Sequence, residues 1–143
     1  MIRDLEARDL ERVRRLLTSA PEASAWSTDG LLAHPRDLHV RVAEEEEGAL
    51  CGMVIFRVVA DEAEILHIVV EAAQRQRGIG SRLMDEVVAT CRIAGAQKIF
   101  LEVRESNSIA RKFYARLGFR VTGCRRNYYR SPTEDALVLV RTM

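Results

Sequence analysis

Hydrophobic residues follow two different spacings along this chain, and each spacing predicts one type of secondary structure. Residues 1–5 predict a short strand. Apolar positions at helical intervals then predict a helix with Asp9 as its N-cap, because a carboxylate can accept hydrogen bonds from the first turn. The apolar positions of this helix are Leu10, Val13, Leu16 and Leu17. Ser27 is placed to cap a second, short helix that ends by Pro35.

Strand patterns dominate the middle of the chain. Alternation over residues 38–42 indicates a half-buried strand, and residues 49–59 predict a second strand that pairs with it as a hairpin across the turn at 46–48. Residues 65–70 are almost continuously apolar, which is typical of a central strand that is buried on both faces. A loop of residues 71–77 follows.

The second half of the chain alternates between helix and strand. The predicted elements are a helix at about 78–94 that Gly95 ends, a strand at 98–103, a helix opened by Ser106 or Asn107 and stopped by Gly118, and strands at about 119–129 and 136–141. This order predicts an α/β (α+β mixed-sheet) fold, with a central mixed sheet flanked by helices on both faces. Because no linker or repeat divides its 143 residues, we expect a single domain over 1–143.

Composition narrows the classes of function. The chain carries 22 basic and 21 acidic residues, and this near balance gives no reason to expect nucleic acid or an anionic membrane as its main partner. Its apolar runs are too short to span a bilayer, and its charged beginning does not resemble a signal peptide. Cys51, Cys91 and Cys124 lack metal-ligand spacing, so we expect buried, reduced thiols in a soluble cytoplasmic protein that binds no metal.

The junction between the apolar run and the following helix carries the first candidate site. Two glycines, Gly78 and Gly80, lie where the helix begins, with three arginines nearby. Backbone N–H groups at a helix start are unpaired, and glycine lets a phosphate approach them closely, so the segment fits an anion. The alternative is an ordinary strand-to-helix turn with exposed arginines. A dinucleotide fingerprint and a P-loop both fail, since position 83 is Leu and Gly-Lys-Ser/Thr is absent.

A second candidate cluster combines a carboxylate and a phenol. Alternation puts Glu102 on the strand face opposite Leu101 and Val103, where partial burial would make the carboxylate a stronger base. The alternative is a salt bridge to Arg104 or another arginine. Tyr114 falls on the apolar side of the next helix, where core packing is the alternative to a chemical role.

Several stretches resemble one superfamily of enzymes. Arg75-Gln76-Arg77-Gly78-Ile79-Gly80 resembles the Q/R-x-x-G-x-G/A signature of the GNAT acetyltransferases. The stretch LEVRESNSIARKFYARLGF resembles that of the bacterial ribosomal-protein-alanine N-acetyltransferases (the RimI type). The tail RRNYYRSPTEDALVLV and the early Ala25-Trp26-Ser27 are also similar to that subgroup. The likeness runs over nearly the whole chain and is strongest over 62–143.

The resemblance implies a GNAT-type fold and an acetyl-CoA-dependent N-acetyltransferase that transfers the acetyl group directly, without a metal. It implies that Glu102 is the general base and Tyr114 the general acid. It also implies that the glycine loop holds the CoA pyrophosphate and that the preceding strand, splayed from its neighbour, binds the pantetheine arm. The cofactor-binding residues expected on this basis are Ile68, Val69, Val70, Arg75, Gln76, Arg77, Gly78, Ile79, Gly80, Ser81 and Asn107.

The resemblance also implies an acceptor, the N-terminal α-amino group of a protein, such as a ribosomal protein that begins with Ala. Tyr128, Tyr129 and Trp26 are candidates to line the groove that receives it. Members of the subgroup usually have Asn at the position of His67, Pro at Ala25 and Asp-Pro at positions 71–72. The alternatives are a lysine side chain or a small amine as acceptor, a non-catalytic CoA-binding module, and a protein-interaction domain that retains only the fold.

Overall fold

The described part of the chain, residues 1–18, 38–71 and 78–143 of a computed structural model, forms a seven-stranded sheet. In chain order its elements are β1 (Ile2–Asp4), a 3-10 turn (Ala7–Asp9), α1 (Leu10–Thr18), β2 (Leu38–Glu44), β3 (Leu50–Val59), β4 (Glu62–Val70), α2 (Ile79–Ala94), β5 (Lys98–Arg104), α3 (Ser108–Arg116), β6 (Arg120–Tyr129) and β7 (Glu134–Thr142). The predicted helix between Ser27 and Pro35 lies outside the described residues. Within these ranges, no helix has the length and apolar composition needed to cross a membrane.

The sheet is mixed, as the sequence predicts. Its strand order is β1-β2-β3-β4-β5-β7-β6, and every neighbouring pair is antiparallel except β4 and β5. The predicted hairpin of β2 and β3 is confirmed, and β4 occupies the centre of the sheet. β4 begins at Glu62, before the apolar run at 65–70, because its first residues already pair with both neighbouring strands.

Helices cover both faces of the sheet, which confirms the predicted architecture. Successive residues of β3 point to opposite sides, so this strand contributes to two cores. The α1-side core contains Val13, Leu16, Met53 and Ile55, and the α2-side core contains Val54, Phe56, Leu83 and Tyr114. The strands at the centre are therefore buried on both faces, which explains their nearly continuous apolar sequence.

Glycines fix where α2 begins and ends. Gly78 and Gly95 adopt φ values of +79° and +84°, a left-handed conformation that disfavours residues with a side chain. Gly52 lies in β3 beneath the helix, and a Cβ there would lie 3.1 Å from side-chain atoms of both Ile79 and Leu83. The first turn of α2 therefore packs directly against the sheet, close to the end of β4.

The edge strand β6 departs from the predicted burial pattern. It pairs on one side with β7, and its residues up to Tyr128 are exposed. Cys51 and Cys91 are buried, as expected, but the prediction of a buried thiol is wrong for Cys124, which lies on this edge. The alternation of residues along a strand does not reveal whether the strand lies at an edge of its sheet.

The predicted N-cap role of Asp9 is also wrong. Asp9 ends the 3-10 turn, and its Oδ2 accepts a hydrogen bond from the backbone N–H of Glu6 at 2.8 Å. Its two carboxylate oxygens also accept bonds from the Arg3 guanidinium at 2.7 and 2.8 Å, and its side chain is fully buried. The carboxylate therefore reaches back along the chain to join α1 to β1. Spacing alone could not reveal a partner that the tertiary fold supplies.

Replacing Asp9 with Asn is expected to lower the free energy of unfolding by about 3 kcal/mol, because it removes one charge of a buried pair. The hydrogen-bonded Arg3 guanidinium holds the pKa of Asp9 below its ordinary value of 3.8. The stabilisation from this carboxylate is therefore fully present above about pH 4 and is lost as the pH falls through the lower, folded-state pKa. The measurement is urea unfolding of both proteins at neutral and acidic pH.

Asp4→Asn is the matched control, since Asp4 pairs with Arg41 at 2.9 Å while its side chain is 77% exposed. An exposed pair of this kind contributes less than about 1 kcal/mol. Equal losses in the two variants would show that burial of the Asp9 pair has no special importance.

Candidate active site

A gap opens in the sheet between β4 and β5, its one parallel pair within the described residues. Residues 62–64 of β4 pair with residues 98–100 of β5, and beyond them the two strands separate. Beyond that point β4 stays paired with β3, and β5 stays paired with β7. Each side of the gap is thus held by its outer neighbour, so the opening is built into the fold. The divergence implied by the family resemblance is present.

A cleft of about 300 Å³ occupies this gap, walled by β4, β5, α3 and β6. It brings together six residues to which the sequence assigned a possible role: Ile68, Glu102, Asn107, Tyr114, Tyr128 and Tyr129. Val69 and Val70 continue β4 beyond the cleft lining; the side chain of Val69 enters the α1-side core, and that of Val70 packs against the α2-side core. Contact of these two residues with a cofactor would therefore be made by their backbone.

Glu102 is the carboxylate on the β5 wall. Its side chain is 13% exposed, and its Oε1 lies 3.0 Å from Nε of Arg125. The salt bridge that the sequence left open is therefore present, but its partner is Arg125 on β6, since Arg104 pairs with Glu134 at 3.2 Å. The Arg125 side chain is 57% exposed, so the contact can be broken without burying an unpaired guanidinium.

Tyr128 adds a second contact to the same carboxylate. Its hydroxyl donates a hydrogen bond to Glu102, and this bond raises the pKa of Tyr128 above its ordinary value. The Arg125 guanidinium also lies 5.6 Å from the centre of the Tyr128 ring. The end of β6 therefore makes two contacts with Glu102, one through the Arg125 guanidinium and one through the Tyr128 hydroxyl. Both Tyr128 and Tyr129 line the cleft, but their contact with an acceptor stays a prediction.

Tyr114 approaches the cleft from the opposite side, on α3. The residue is buried, and its ring makes edge-to-face contacts with Phe113 at 5.2 Å and Phe119 at 5.7 Å between ring centres. The packing role considered from the sequence is therefore real. Tyr114 also lines the cleft. Its ring can therefore pack in the core and the residue can still take part in chemistry in the cleft.

Asn107 has a structural task in addition to its predicted one. It is the N-cap of α3, and its Oδ1 accepts a hydrogen bond from the backbone N–H of Ala110 at 3.1 Å. This confirms one of the two predicted openings of the helix. The carboxamide oxygen is thus used for capping, and the NH₂ group is the part of Asn107 that could contact a cofactor.

The start of α2 provides the second part of the candidate site. Gly78 is its N-cap and is exposed, no side chain in the described part of the chain caps it, and its first turn contains no acidic residue. Ser81 is exposed on the first turn. A helix start with unneutralised N–H groups fits a phosphate. Arg75, Gln76 and Arg77, which the sequence placed beside it, lie outside the described residues.

Gly80 has a role that its position in the motif did not predict. A Cβ at Gly80 would lie 2.7 Å from the ring of Phe113, so the missing side chain lets α3 pack against α2. Gly80 is buried, whereas Gly78 is exposed, and a Cβ built on it would have no atom of the described residues within 4 Å. Substituting Gly80 would therefore disturb helix packing as well as any phosphate contact, and cannot test the latter alone.

Three titratable residues at the cleft or its edge have no role assigned to them by the sequence analysis. Glu64 lines the cleft and pairs with Arg57 at 3.3 Å. Arg125 could not be identified, because only the pairing of β6 with β7 and of β7 with β5 brings it near Glu102. His67 also lines the cleft, and burial lowers its pKa. The only indication of His67 in the sequence is that it is a single histidine within an apolar strand.

Comparison with known proteins identifies a family. The sequence model of the acetyltransferase (GNAT) family matches residues 2–119 of this chain. The chain is 31% identical to the ribosomal protein bS18-alanine N-acetyltransferase of Haemophilus influenzae over 142 residues, which cover 97% of this chain and 96% of that protein. It is 30% identical to the Escherichia coli protein of the same name, with coverage of 96% and 94%.

The fold shows the same similarity. The crystal structure of the ribosomal-protein-S18-alanine N-acetyltransferase from Escherichia coli superposes with a TM-score of 0.84 and 28% sequence identity. The superposition covers 99% of this chain and 92% of that one. The superposed part of this chain therefore includes β4, β5, the start of α2 and the β6–β7 region around the cleft.

Proposed function

Because the chain belongs to the GNAT family of acetyltransferases, we propose that it transfers the acetyl group of acetyl-CoA to the α-amino group at the N-terminus of a protein. The observation that carries this proposal is the cleft between β4 and β5, which holds a carboxylate on one wall and a tyrosine on the other. N-acetylation requires one group that takes a proton from the amine and one that gives a proton to the leaving thiolate.

Acetyl-CoA fits the shape and chemistry of the site. The start of α2 suits the pyrophosphate, through backbone N–H groups of its first turn near Gly78 and Ser81. Arg75 and Arg77, which precede this turn in the sequence, are proposed as further phosphate-binding residues. The edge of β4 that faces the gap has no ladder with β5 beyond residue 64, so it can bind the amide groups of the pantetheine arm. A thioester held this way would lie between Glu102 and Tyr114.

In the proposed reaction, Glu102 accepts a proton from the acceptor ammonium, directly or through water. The neutral amine forms a C–N bond to the carbonyl carbon of the thioester, and the C–S bond then breaks. Tyr114 donates a proton to the departing thiolate. This transfer is not strongly uphill, because the reference pKa values of a phenol and a thiol both lie at about 10 or somewhat below. No covalent bond to the enzyme forms.

The Arg125 guanidinium supports a cationic acceptor. Its Nε lies 3.0 Å from Glu102 Oε1 while the Arg125 side chain is 57% exposed, so a solvent-exposed cation can reach this carboxylate. An incoming ammonium would replace this exposed guanidinium at the carboxylate. Since Tyr128 also contacts Glu102, the acceptor would enter between the end of β6 and β5.

We propose an N-terminal alanine, on a ribosomal protein, as the acceptor. The names of the relatives support this substrate. A physical argument supports an α-amine over a lysine: its pKa of ~8, against ~10.4 for lysine, leaves far more of it neutral at pH 7. A small first residue also suits a cleft whose walls include Tyr114, Tyr128 and Tyr129.

The test is mass spectrometry of a peptide that has a free N-terminal Ala and an internal Lys, after incubation with enzyme and acetyl-CoA. We expect a single acetyl group on the N-terminus. The control is the same peptide with its N-terminus already blocked, which should gain nothing. Acetyl on the lysine with the N-terminus untouched would refute the assignment and favour a lysine or small amine, and no transfer at all would favour a non-catalytic CoA-binding module.

A further inference from the structure

His67 lies on β4 beside a β-bulge and lines the cleft. In the pairing of β3 with β4, Ile55 faces His67 while the next residue, Phe56, faces Ile65, so Leu66 is the extra residue of a β-bulge. Bulges re-aim side chains and are frequent beside active sites. His67 is one of five consecutive β4 residues, 64–68, that line the cleft.

The buried ring nitrogen of His67 has no partner. Its Nε2 is shielded from solvent and makes no hydrogen bond, and it is the only side-chain nitrogen or oxygen in the described ranges with this property. A buried polar atom without a partner destabilises the protein, and such atoms call for an explanation. A ligand that binds in the cleft and donates a hydrogen bond to Nε2 would explain the unpartnered nitrogen.

His67 lies on the same side of the sheet as Glu102. Its partner across the strands, Ile55, belongs to the α1-side core, and paired residues of neighbouring strands share a face. Leu101 and Val103, which flank Glu102, belong to the α2-side core, so Glu102 points the opposite way, to the α1 side. The two polar side chains thus approach the gap from its two walls on one face.

The state of the imidazole also suits a cationic partner. Burial lowers the pKa of His67, which favours the uncharged form of the ring. A neutral imidazole can accept a hydrogen bond at one nitrogen, which an imidazolium cannot.

We propose that His67 binds the acceptor, with Nε2 accepting a hydrogen bond from the amine and holding it beside Glu102. This inference rests on the proposed function, because it takes an amine as the acceptor. His67 is a binding residue with a preference for an N–H donor, and the proton itself is transferred to Glu102.

The test compares three variants of the full chain in steady-state kinetics with the N-terminal Ala peptide. His67→Leu removes the nitrogen and is expected to raise the KM for the peptide about tenfold, the effect of one lost hydrogen bond. The KM for acetyl-CoA should stay unchanged, and kcat should fall less than about threefold. His67→Gln can place a carboxamide near the position of Nε2 and should restore most of the affinity, whereas His67→Asn reaches only the position of Nδ1 and should restore less.

Thermal unfolding separates binding from a structural role. If Nε2 serves only the acceptor, His67→Leu should be as stable as the wild-type protein or more stable, since it removes an unpaired polar atom from a buried position. The proposal is overturned if the peptide KM is unchanged in His67→Leu, if Gln and Leu behave alike, or if the loss of activity follows a loss of stability. Should the wild-type protein acetylate a different amine, the proposed N-terminal function fails, and the same variants assayed with that amine still decide the role of His67.

Discussion

Tyr114→Phe is expected to lower kcat by about 10²–10⁴-fold, the usual contribution of a general acid, without loss of the fold. The ring packs edge to face against Phe113 and Phe119, and phenylalanine preserves that packing, so only the hydroxyl is lost. The measurement is kcat at saturating acetyl-CoA and acceptor, together with the midpoint of thermal unfolding.

Tyr129→Phe provides the matched control, since it also removes a hydroxyl from the cleft wall but has no assigned proton to transfer. We expect its kcat to stay within a few-fold of the wild-type value. A full rate in Tyr114→Phe would leave Tyr114 with its packing role alone. Equal losses in both variants would indicate that the cleft responds to any lost hydroxyl.

Glu102→Gln is expected to lower the rate at neutral pH by about 10²–10⁴-fold, because the isosteric carboxamide cannot accept the proton of the ammonium. The loss should shrink as the pH rises past ~8, where a free α-amine is already neutral and needs no base. The measurement is a profile of kcat/KM for the acceptor against pH, in the wild-type and variant enzymes.

Glu64→Gln is the control for this experiment, since Glu64 is a second carboxylate that lines the same cleft. It should leave the shape of the pH profile unchanged. A loss in Glu102→Gln that is uniform across pH would count against its role as base, and an effect of Glu64→Gln as large as that of Glu102→Gln would move the role to Glu64.

The architecture follows from sequence because its signals are local. The spacing of apolar residues predicts the order of the strands and helices, and Gly78 and Gly95 mark the ends of α2 because few other residues adopt their positive φ values. Asp9 shows the limit of this reasoning. Its carboxylate is bound by Arg3 and the Glu6 backbone in an arrangement that only the packed fold creates.

The chemistry of the cleft was less accessible for the same reason. Alternation places Glu102 on one face of its strand, but it cannot show that Arg125, from an edge strand two positions away across the sheet, pairs with it. Gly80 likewise stands in a phosphate-binding motif, yet its contact with Phe113 depends on how two helices pack. The register that pairs His67 with Ile55, next to the bulge at Leu66, is likewise not encoded in a single strand.

The short seam between β4 and β5 has a consequence for how the molecule comes apart. Strands β1 to β4 form one antiparallel half of the sheet and β5 to β7 form the other, and in the part of the chain that the structure describes the one ladder between the halves joins residues 62–64 to residues 98–100. Proteins open in cooperative units, and with so short a ladder the two halves are joined mainly by the α2-side core, whose residues come from both. A substrate that fills the gap would contact both halves, so its binding energy would stabilise their association. We therefore expect the substrate-bound enzyme to undergo subglobal opening less readily than the free enzyme.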